Sequence, residues 1–200
     1  MIRAVHPIEA ESYRILRSLL DTSGLPPCTR AVVERLVHTT ADLDLAADLV
    51  TDEAHLAAGR AALLAGAPVV TDVAMVAAGI TRRDLLGRVV CRVADAKAAA
   101  LAAEAGITRS AAGFRLAHAD VGPGAVWVVG NAPTALFELL ALDAAPALVV
   151  GLPVGFVGAA ESKAALRRSG LPQLSNRSSK GGSPWAAAAV NALLYLEDQP

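Results

Sequence analysis

Short runs of consecutive apolar residues alternate with segments of helical spacing along most of the chain. A strand that is apolar at every position is buried on both faces, which is typical of a parallel sheet covered by helices on both sides. The pattern predicts strands at 67–72, 88–93, 126–130, 146–152 and 171–176. It therefore predicts an α/β fold, a three-layer sandwich with a mostly parallel sheet flanked by helices.

An N-terminal helical hairpin is predicted in front of this pattern. Its first helix runs from His6 to about Leu20, and its second begins at Pro26-Pro27 and continues through VVERLVH. The segment 43–50 is interpreted as a strand or a short extended piece, and Asp52 as the cap of a helix that ends at Gly66. No fixed-period repeat or low-complexity linker is present, so we expect a single domain over 1–200.

Charge and composition exclude several classes of protein. The 18 Lys and Arg residues nearly cancel the 19 Asp and Glu residues, and the net charge is -1. No global field attracts nucleic acid or an anionic membrane, so neither is an expected partner. The first residues lack the apolar region of a signal peptide, and Gly and Pro interrupt the longest apolar stretch, 147–160. We therefore expect a cytoplasmic protein.

Polar and glycine-rich segments follow most of the predicted strands. In a parallel sheet these junctions meet at the carboxyl edge, where the N-termini of the following helices favour anions. The segments are Thr71-Asp72, Asn131 to Thr134 with Asn131 as the expected cap, Pro153-Val154-Gly155, and Arg177 to Ser183; Thr108-Arg109-Ser110 opens a further helix. Each alone is better explained as a turn with a cap. Five of them at one edge indicate a large polyanionic ligand.

A nucleotide site is a weaker alternative. The stretch GLPVGFVG at 151–158 does not have the spacing G-x-G-x-x-G. In SSKGGS the lysine precedes the glycines, whereas a phosphate-binding Walker loop has its lysine after them. A nucleotide-binding reductase on a Rossmann-like sheet therefore stays open with little support.

Among the histidines, His38 is the candidate for acid–base chemistry. It lies at the end of the second predicted helix, where the helix dipole is expected to raise the pKa of the imidazole. Its position alone still favours a helix-end histidine without a catalytic role. His55 and His118 are expected at the surface. No histidine or cysteine pair has a metal-ligand spacing, and Cys91 is expected to be an inert core thiol within a buried strand.

Several long strings resemble the precorrin-8X methylmutase family, which includes the cobalt-precorrin-8 counterpart. They are ESYRI, RLVHTTADLD, VVTDVAMVAAGI, TRSAA, GNAPTALFELL, LVVGLPVGFVGAAESK and RSSKGGS, and the resemblance runs from about residue 6 to residue 195. The last string departs from the family pattern, because Ser178 stands where that pattern has a glycine.

This resemblance implies an isomerase of cobalamin biosynthesis that moves a methyl group from C-11 to C-12 of a tetrapyrrole. It also implies a homodimer, no added cofactor and no metal site. His38 would protonate a ring nitrogen and so ease a [1,5]-sigmatropic shift, while Arg109, Arg177 and Lys180 would pair with substrate carboxylates. The residues expected to bind substrate are Ser12, Thr71, Asp72, Met75, Thr108, Arg109, Ser110, Asn131, Ala132, Pro133, Thr134, Pro153, Val154, Gly155, Arg177, Lys180, Gly181, Gly182 and Ser183.

A non-catalytic tetrapyrrole carrier on the same fold is the second alternative, and the sequence does not indicate whether the tetrapyrrole carries cobalt.

Overall fold

A computed structural model describes residues 6–82 and 88–198. The helices are α1 (Pro7–Leu19), α2 (Pro27–Thr40), α3 (Leu45–Asp48), α4 (Glu53–Leu64), α5 (Ala74–Gly79), α6 (Ala96–Ala105), α7 (Arg109–Val121), α8 (Pro133–Ala141), α9 (Ala159–Arg168) and α10 (Ser183–Leu194). The strands are β1 (Leu49–Thr51), β2 (Val69–Thr71), β3 (Val89–Val90), β4 (Val126–Val129), β5 (Leu148–Gly151) and β6 (Gln173–Asn176). Within the described ranges, no helix is long and apolar enough to span a membrane.

The six strands form one mixed sheet in the order β1-β6-β5-β4-β2-β3. All neighbouring pairs are parallel except β1 and β6, which are antiparallel. Successive residues of a strand point to opposite faces, so Val126 and Val128 enter one core, while Trp127 and Val129 enter the other. The predicted fold class is therefore confirmed. That residues 1–200 make a single domain stays a prediction.

The two faces of the sheet are covered by different helices. Helices α2, α4, α5 and α10 enclose the core on one side, and α7, α8 and α9 cover the other. The helical hairpin predicted at the N-terminus is present, with α1 packed on α2. Glu34, almost completely buried, fastens the hairpin because its carboxylate accepts hydrogen bonds from Arg17, Thr22 and Arg30.

Two local predictions are wrong at the ends of the sheet. In the segment 43–50, residues 45–48 form the helix α3, and only the last two residues are extended, as the start of the antiparallel edge strand β1. The strand predicted at 88–93 has only the two residues of β3, which lies at the opposite edge and is partly exposed. Cys91 follows this strand and is itself partly exposed, so it is not a core thiol.

Candidate functional site

His38 lies in the last turn of α2 and is held by α1. The Oγ atom of Ser12 lies 2.9 Å from Nδ1 of His38. The ring of Tyr13 stacks on the imidazole with 4.9 Å between the centroids and 22° between the planes. Ser12 and Tyr13 therefore fix both the hydrogen bonding and the orientation of the histidine ring.

A cavity of about 700 Å³ opens beside His38, between α2, the end of α5 and α10. Its lining residues are Arg35, His38, Thr39, Gly79, Thr81, Pro184, Ala187, Ala188, Asn191 and Tyr195. The α10 members recur every three or four residues and so share one face of that helix. Because Ala187 and Ala188 have small side chains, this face gives the cavity a flat floor.

Arg35 is the cation of this cavity, among the residues that the structure describes. It precedes His38 by three residues, so both side chains lie on one face of α2. Its Nη1 donates to Oε1 of Glu9 at 3.1 Å, and its guanidinium lies 5.3 Å from the centroid of the Tyr13 ring. Neither Arg35 nor Tyr13 is among the residues predicted for the site, although the spacing of three residues between Arg35 and His38 in RLVH is a signal that indicates Arg35.

The predicted direction of the His38 pKa shift is wrong. Burial lowers the pKa of His38 below its ordinary value, and the neighbouring Arg35 cation lowers it further, while Glu9 opposes them. The helix end favours the imidazolium, but desolvation and a cation one turn away have the larger effect. In the free protein His38 is therefore a stronger acid, and it is neutral over a wider pH range.

The carboxyl edge of the sheet is organised by Asp72, which directly follows β2. Its carboxylate is buried and accepts hydrogen bonds from the backbone amides of Gly130, Asn131 and Ala132 at 2.7–3.1 Å. Burial raises the pKa of this carboxyl, and the three amide donors oppose that effect. Asp72 thus fixes the turn between β4 and α8, and this geometry favours a structural role; its contact with a substrate stays a prediction.

The predicted cap at Asn131 is also wrong, because Ala132 occupies the N-cap position of α8 and no side chain caps that helix. Pro133 is the first helical residue, as expected. Gly130 is required by packing, since a Cβ atom added there would lie 2.8 Å from Cα of Ser183. The turn after β4 and the start of α10 therefore touch.

The beginning of α7 lies beside the beginning of α8. The hydroxyl oxygens of Thr108 and Thr134 are 2.7 Å apart, and Thr108 also caps α7 by accepting from the amide of Ala111. Arg109 is exposed next to this cap, whereas Ser110 is buried at the boundary of the core. Thr108, Arg109 and Thr134 are thus brought together.

Two glycine-rich loops meet at the same edge. The amide of Gly182 donates to the carbonyl of Leu152 at 2.9 Å, and the amide of Gly155 donates to the carbonyl of Ser179 at 3.2 Å. A Cβ atom at Gly181 would lie 2.3 Å from the Leu152 carbonyl oxygen, so only glycine permits this approach. The segments 153–155 and 181–183 form one continuous surface. Within it Ser183 is buried and Val154 is partly exposed.

The three predicted cations do not line the His38 cavity. Lys180 donates through Nζ to Asp42 at 2.7 Å, four residues beyond His38. Arg177 donates through Nη1 to the carbonyl of Ala47 at 2.9 Å, and Arg109 stays exposed near α8. The structure therefore has two candidate regions: the His38 cavity, and the sheet edge with the predicted loops. Met75, on the short helix after β2, is largely exposed.

The other histidines have no comparable surroundings. His55 and His118 are both half-buried at the surface of the molecule, rather than fully exposed. Nδ1 of His55 accepts from the amide of Gln173 at 3.4 Å, and His6 caps α1 by accepting from the amide of Ile8. Among the described residues, no group of three or more His, Cys, Asp or Glu side chains is arranged to hold a metal ion.

Comparison with known proteins decides the family. The model of the precorrin-8X methylmutase family matches residues 7–196. The chain belongs to this family. It is 44% identical to a precorrin-8X methylmutase of Pseudomonas aeruginosa, with 96% of each chain covered. It is 40% identical to a cobalt-precorrin-8 methylmutase of Salmonella typhimurium, with 97% of this chain and 96% of the relative covered.

The fold agrees with a solved member of the family. The crystal structure of a precorrin-8X methylmutase from Thermus thermophilus superposes with a TM-score of 0.85 at 36% identity, covering 94% of this chain and 96% of that one. The resemblance noted in the sequence is therefore confirmed, and so is the enzyme class, an isomerase of cobalamin biosynthesis. Membership of this family favours the methylmutase over the nucleotide-binding reductase.

Proposed function

We propose that this chain moves a methyl group from C-11 to C-12 of precorrin-8X, or of its cobalt form, with His38 as the proton donor. The products are hydrogenobyrinate or cobyrinate. The observation that carries the proposal is the placement of His38: Ser12 and Tyr13 hold its ring at the wall of a cavity of about 700 Å³ that Arg35 also lines. A cavity of this size suits a cofactor-sized ligand.

The hydrogen bond to Ser12 assigns a role to each nitrogen of His38. Nδ1 is occupied by the Ser12 hydroxyl, and within the described residues Nε2 has no hydrogen-bond partner. Nε2 is therefore the nitrogen available to the substrate. A proton passed from Nε2 to a ring nitrogen makes the conjugated system electron-poor, which eases the intramolecular methyl shift, and the proton then returns to the histidine.

The charge of the substrate complements the electrostatics of His38. A lowered pKa makes the imidazolium a stronger acid but reduces the fraction that is protonated near neutral pH. The tetrapyrrole carries several carboxylates, and a carboxylate placed beside Arg35 would offset the effect of that cation on His38. Substrate binding would thus raise the pKa of His38, so that the imidazole is protonated in the complex with substrate.

The sheet edge supplies groups for the remaining carboxylates. Arg109 is exposed beside the Thr108–Thr134 pair, and the N-terminus of α10 has no side-chain cap, whereas the amides before α8 already donate to Asp72. Free amides at helix starts stabilise anions, so these positions suit the acetate and propionate arms of a tetrapyrrole. The flat floor formed by Ala187 and Ala188 suits the apolar face of its ring.

A homodimer is part of the proposal. Phe156 and Val157 are almost fully exposed in the loop before α9, and Met75 near the same edge is largely exposed. Exposed apolar side chains of this size favour a partner surface, and a second copy of the chain is the partner that we propose. A cytoplasmic location, and the lack of nucleic-acid or membrane partners, are proposed on the balanced charge.

The test is anaerobic conversion of precorrin-8X, followed by the absorbance spectrum of the product. The wild type is expected to give the hydrogenobyrinate spectrum. His38→Ala is expected to lower kcat by about 10²–10⁴-fold, the usual contribution of a general acid, with little loss of stability because the ring is only half-buried. His55→Ala is the matched control, since His55 lies on α4, and it should retain activity.

Each outcome separates the alternatives. Retained activity in His38→Ala would exclude His38 as the proton donor. Binding of the pigment without conversion by the wild type, with precorrin-8X and then with cobalt-precorrin-8, would instead support the non-catalytic carrier.

A further inference from the structure

Lys163 is a fully buried lysine in α9, outside the His38 cavity. Its Nζ donates to Oδ1 of Asn176 and to the backbone carbonyl of Lys180, both at 2.7 Å. Lysine is almost never completely buried unless its ammonium is paired. The two acceptors of this ammonium are the last residue of β6 and a residue of the loop that follows.

A buried polar network continues from Lys163 through Asn176. Nδ2 of Asn176 donates to the carboxylate of Asp48 at 2.7 Å and to the Lys180 carbonyl at 3.0 Å. The same carboxylate accepts from the amides of Arg177 at 3.0 Å and Ser178 at 2.9 Å. One ammonium and one carboxylate, joined by an amide, thus hold the start of this loop from two sides.

The loop 177–182 connects both candidate regions of the molecule. Nζ of Lys180 reaches Asp42, which follows the helix that carries His38. The amide of Gly182 donates to Leu152, and the carbonyl of Ser179 accepts from Gly155. A displacement of the Lys180 carbonyl would therefore move both glycine-rich segments proposed to bind substrate.

Stability alone does not explain a lysine at this position. Burial lowers the pKa of Lys163 to about 8, with Asp48 opposing the shift and Arg167 adding to it. Keeping the ammonium charged in the interior therefore costs stability. Well-packed apolar residues often match or exceed the stability given by buried charges. The ammonium gives something that an apolar side chain lacks, namely two hydrogen bonds that set the path of the loop.

We infer that Lys163 is a positioning residue for the methylmutase reaction, because its ammonium fixes the Lys180 carbonyl and thereby the loop 177–182 at the substrate edge. Lys163 does not touch the substrate, since no part of it is exposed. It acts on substrate binding rather than on proton transfer. This inference rests on the proposed function, and its own failure is measured separately.

The test compares the full-length wild type with Lys163→Met, which has a similar length but no donor. We expect KM for precorrin-8X to rise at least tenfold and kcat to stay within about threefold, while Tm falls because Oδ1 of Asn176 loses its buried donor. Hydrogen exchange of the amides in 177–182 should be faster in the variant. Lys97→Met, on the exposed side of α6, is the matched control and should change none of these values.

A second variant keeps the test decisive if Lys163→Met folds poorly. Lys163→Gln retains one donor group and is expected to give an intermediate KM. An unchanged KM in either folded variant would overturn the inference, even where apparent kcat falls, because loss of folded enzyme lowers the active fraction without changing its affinity for substrate. Failure of the wild type to convert either substrate form would instead reject the proposed function.

Discussion

The His38 cavity and the carboxyl edge of the sheet are built in different ways. The cavity is formed by helices from both ends of the chain, and its two ionisable side chains bond to side chains of α1: His38 to Ser12, and Arg35 to Glu9. The edge is formed by loops after parallel strands, and its buried polar side chains bond mainly to the backbone, as the three amides on Asp72 illustrate.

This difference separates side chains that can change their protonation state from side chains that hold the backbone in place. A side chain that bonds to other side chains can change its protonation state without moving the main chain. A buried side chain that satisfies several backbone amides cannot, because its loss leaves those amides unpaired. We therefore propose that proton transfer takes place at the cavity, and that the edge, with its fixed backbone and exposed cations, binds the large anion.

The largest expected effect comes from removing Asp72, which holds the turn after β4 at the sheet edge. Asp72→Ala leaves the amides of Gly130, Asn131 and Ala132 without their acceptor, and we expect it to lower the free energy of unfolding by about 3 kcal/mol. Urea denaturation measures this loss. Asp143→Ala, at an exposed position, is the control and should lie within about 0.5 kcal/mol of the wild type. A loss below 1 kcal/mol for Asp72→Ala would contradict its structural role.

A smaller effect is expected from a test of how Arg35 changes the pKa of His38 in the cavity. Arg35→Gln removes a cation that lowers the pKa of His38 and leaves Glu9, which raises it. The donor must be protonated, so kcat/KM falls as pH rises through this pKa; the midpoint of that fall should move to higher pH in the variant. We also expect the maximum of kcat/KM to drop about tenfold, because a charged hydrogen bond to a substrate carboxylate is lost.

The pH profile of kcat/KM in the free enzyme measures this shift. Arg14→Gln is the control, since Arg14 is exposed on α1 and pairs with Glu11. A midpoint that stays in place, or moves to lower pH, in Arg35→Gln would show that Arg35 does not tune His38.

The smallest expected effect tests an exposed cation of the edge. Arg109→Ala should raise KM about threefold at moderate salt and leave kcat unchanged, because exposed ion pairs contribute between 0 and about 1 kcal/mol. The difference should grow at low ionic strength, where screening is weaker. Steady-state kinetics at two salt concentrations measure it, with Lys97→Ala as the control. A KM equal to that of the wild type at both salt concentrations would remove Arg109 from the substrate site.

The sequence predicted the parallel sheet because consecutive apolar residues such as VWVV have only one common explanation, burial on both faces. It could not predict the strand order or the antiparallel β1, since both depend on contacts between distant segments: β2 pairs with β4 as well as with β3, and β1 pairs with β6 at the other end of the chain. The predicted direction of the pKa shift of His38 was wrong for a similar reason. The helix end is visible in the sequence, whereas the burial of the ring is a property of the folded protein.

The candidate site shows the same division. Glycine and proline at the strand ends are local signals, so the loops at 153–155 and 181–183 could be located from the sequence. The stacking of Tyr13 on His38 and the hydrogen bond from Lys163 to the Lys180 carbonyl each join different elements through a side chain. No spacing in the sequence indicates such pairs.

The packing of α2 on α10 has a consequence for synthesis on the ribosome. Residues 184–195 form the floor of the cavity beside His38, although His38 itself is made about 150 residues earlier. The strands β2 to β5 can pair before the last helix emerges, but the cavity cannot exist until that helix has left the exit tunnel. A nascent chain, or one shortened by its last twenty residues, would therefore carry His38, the proposed proton donor, without the cavity beside it.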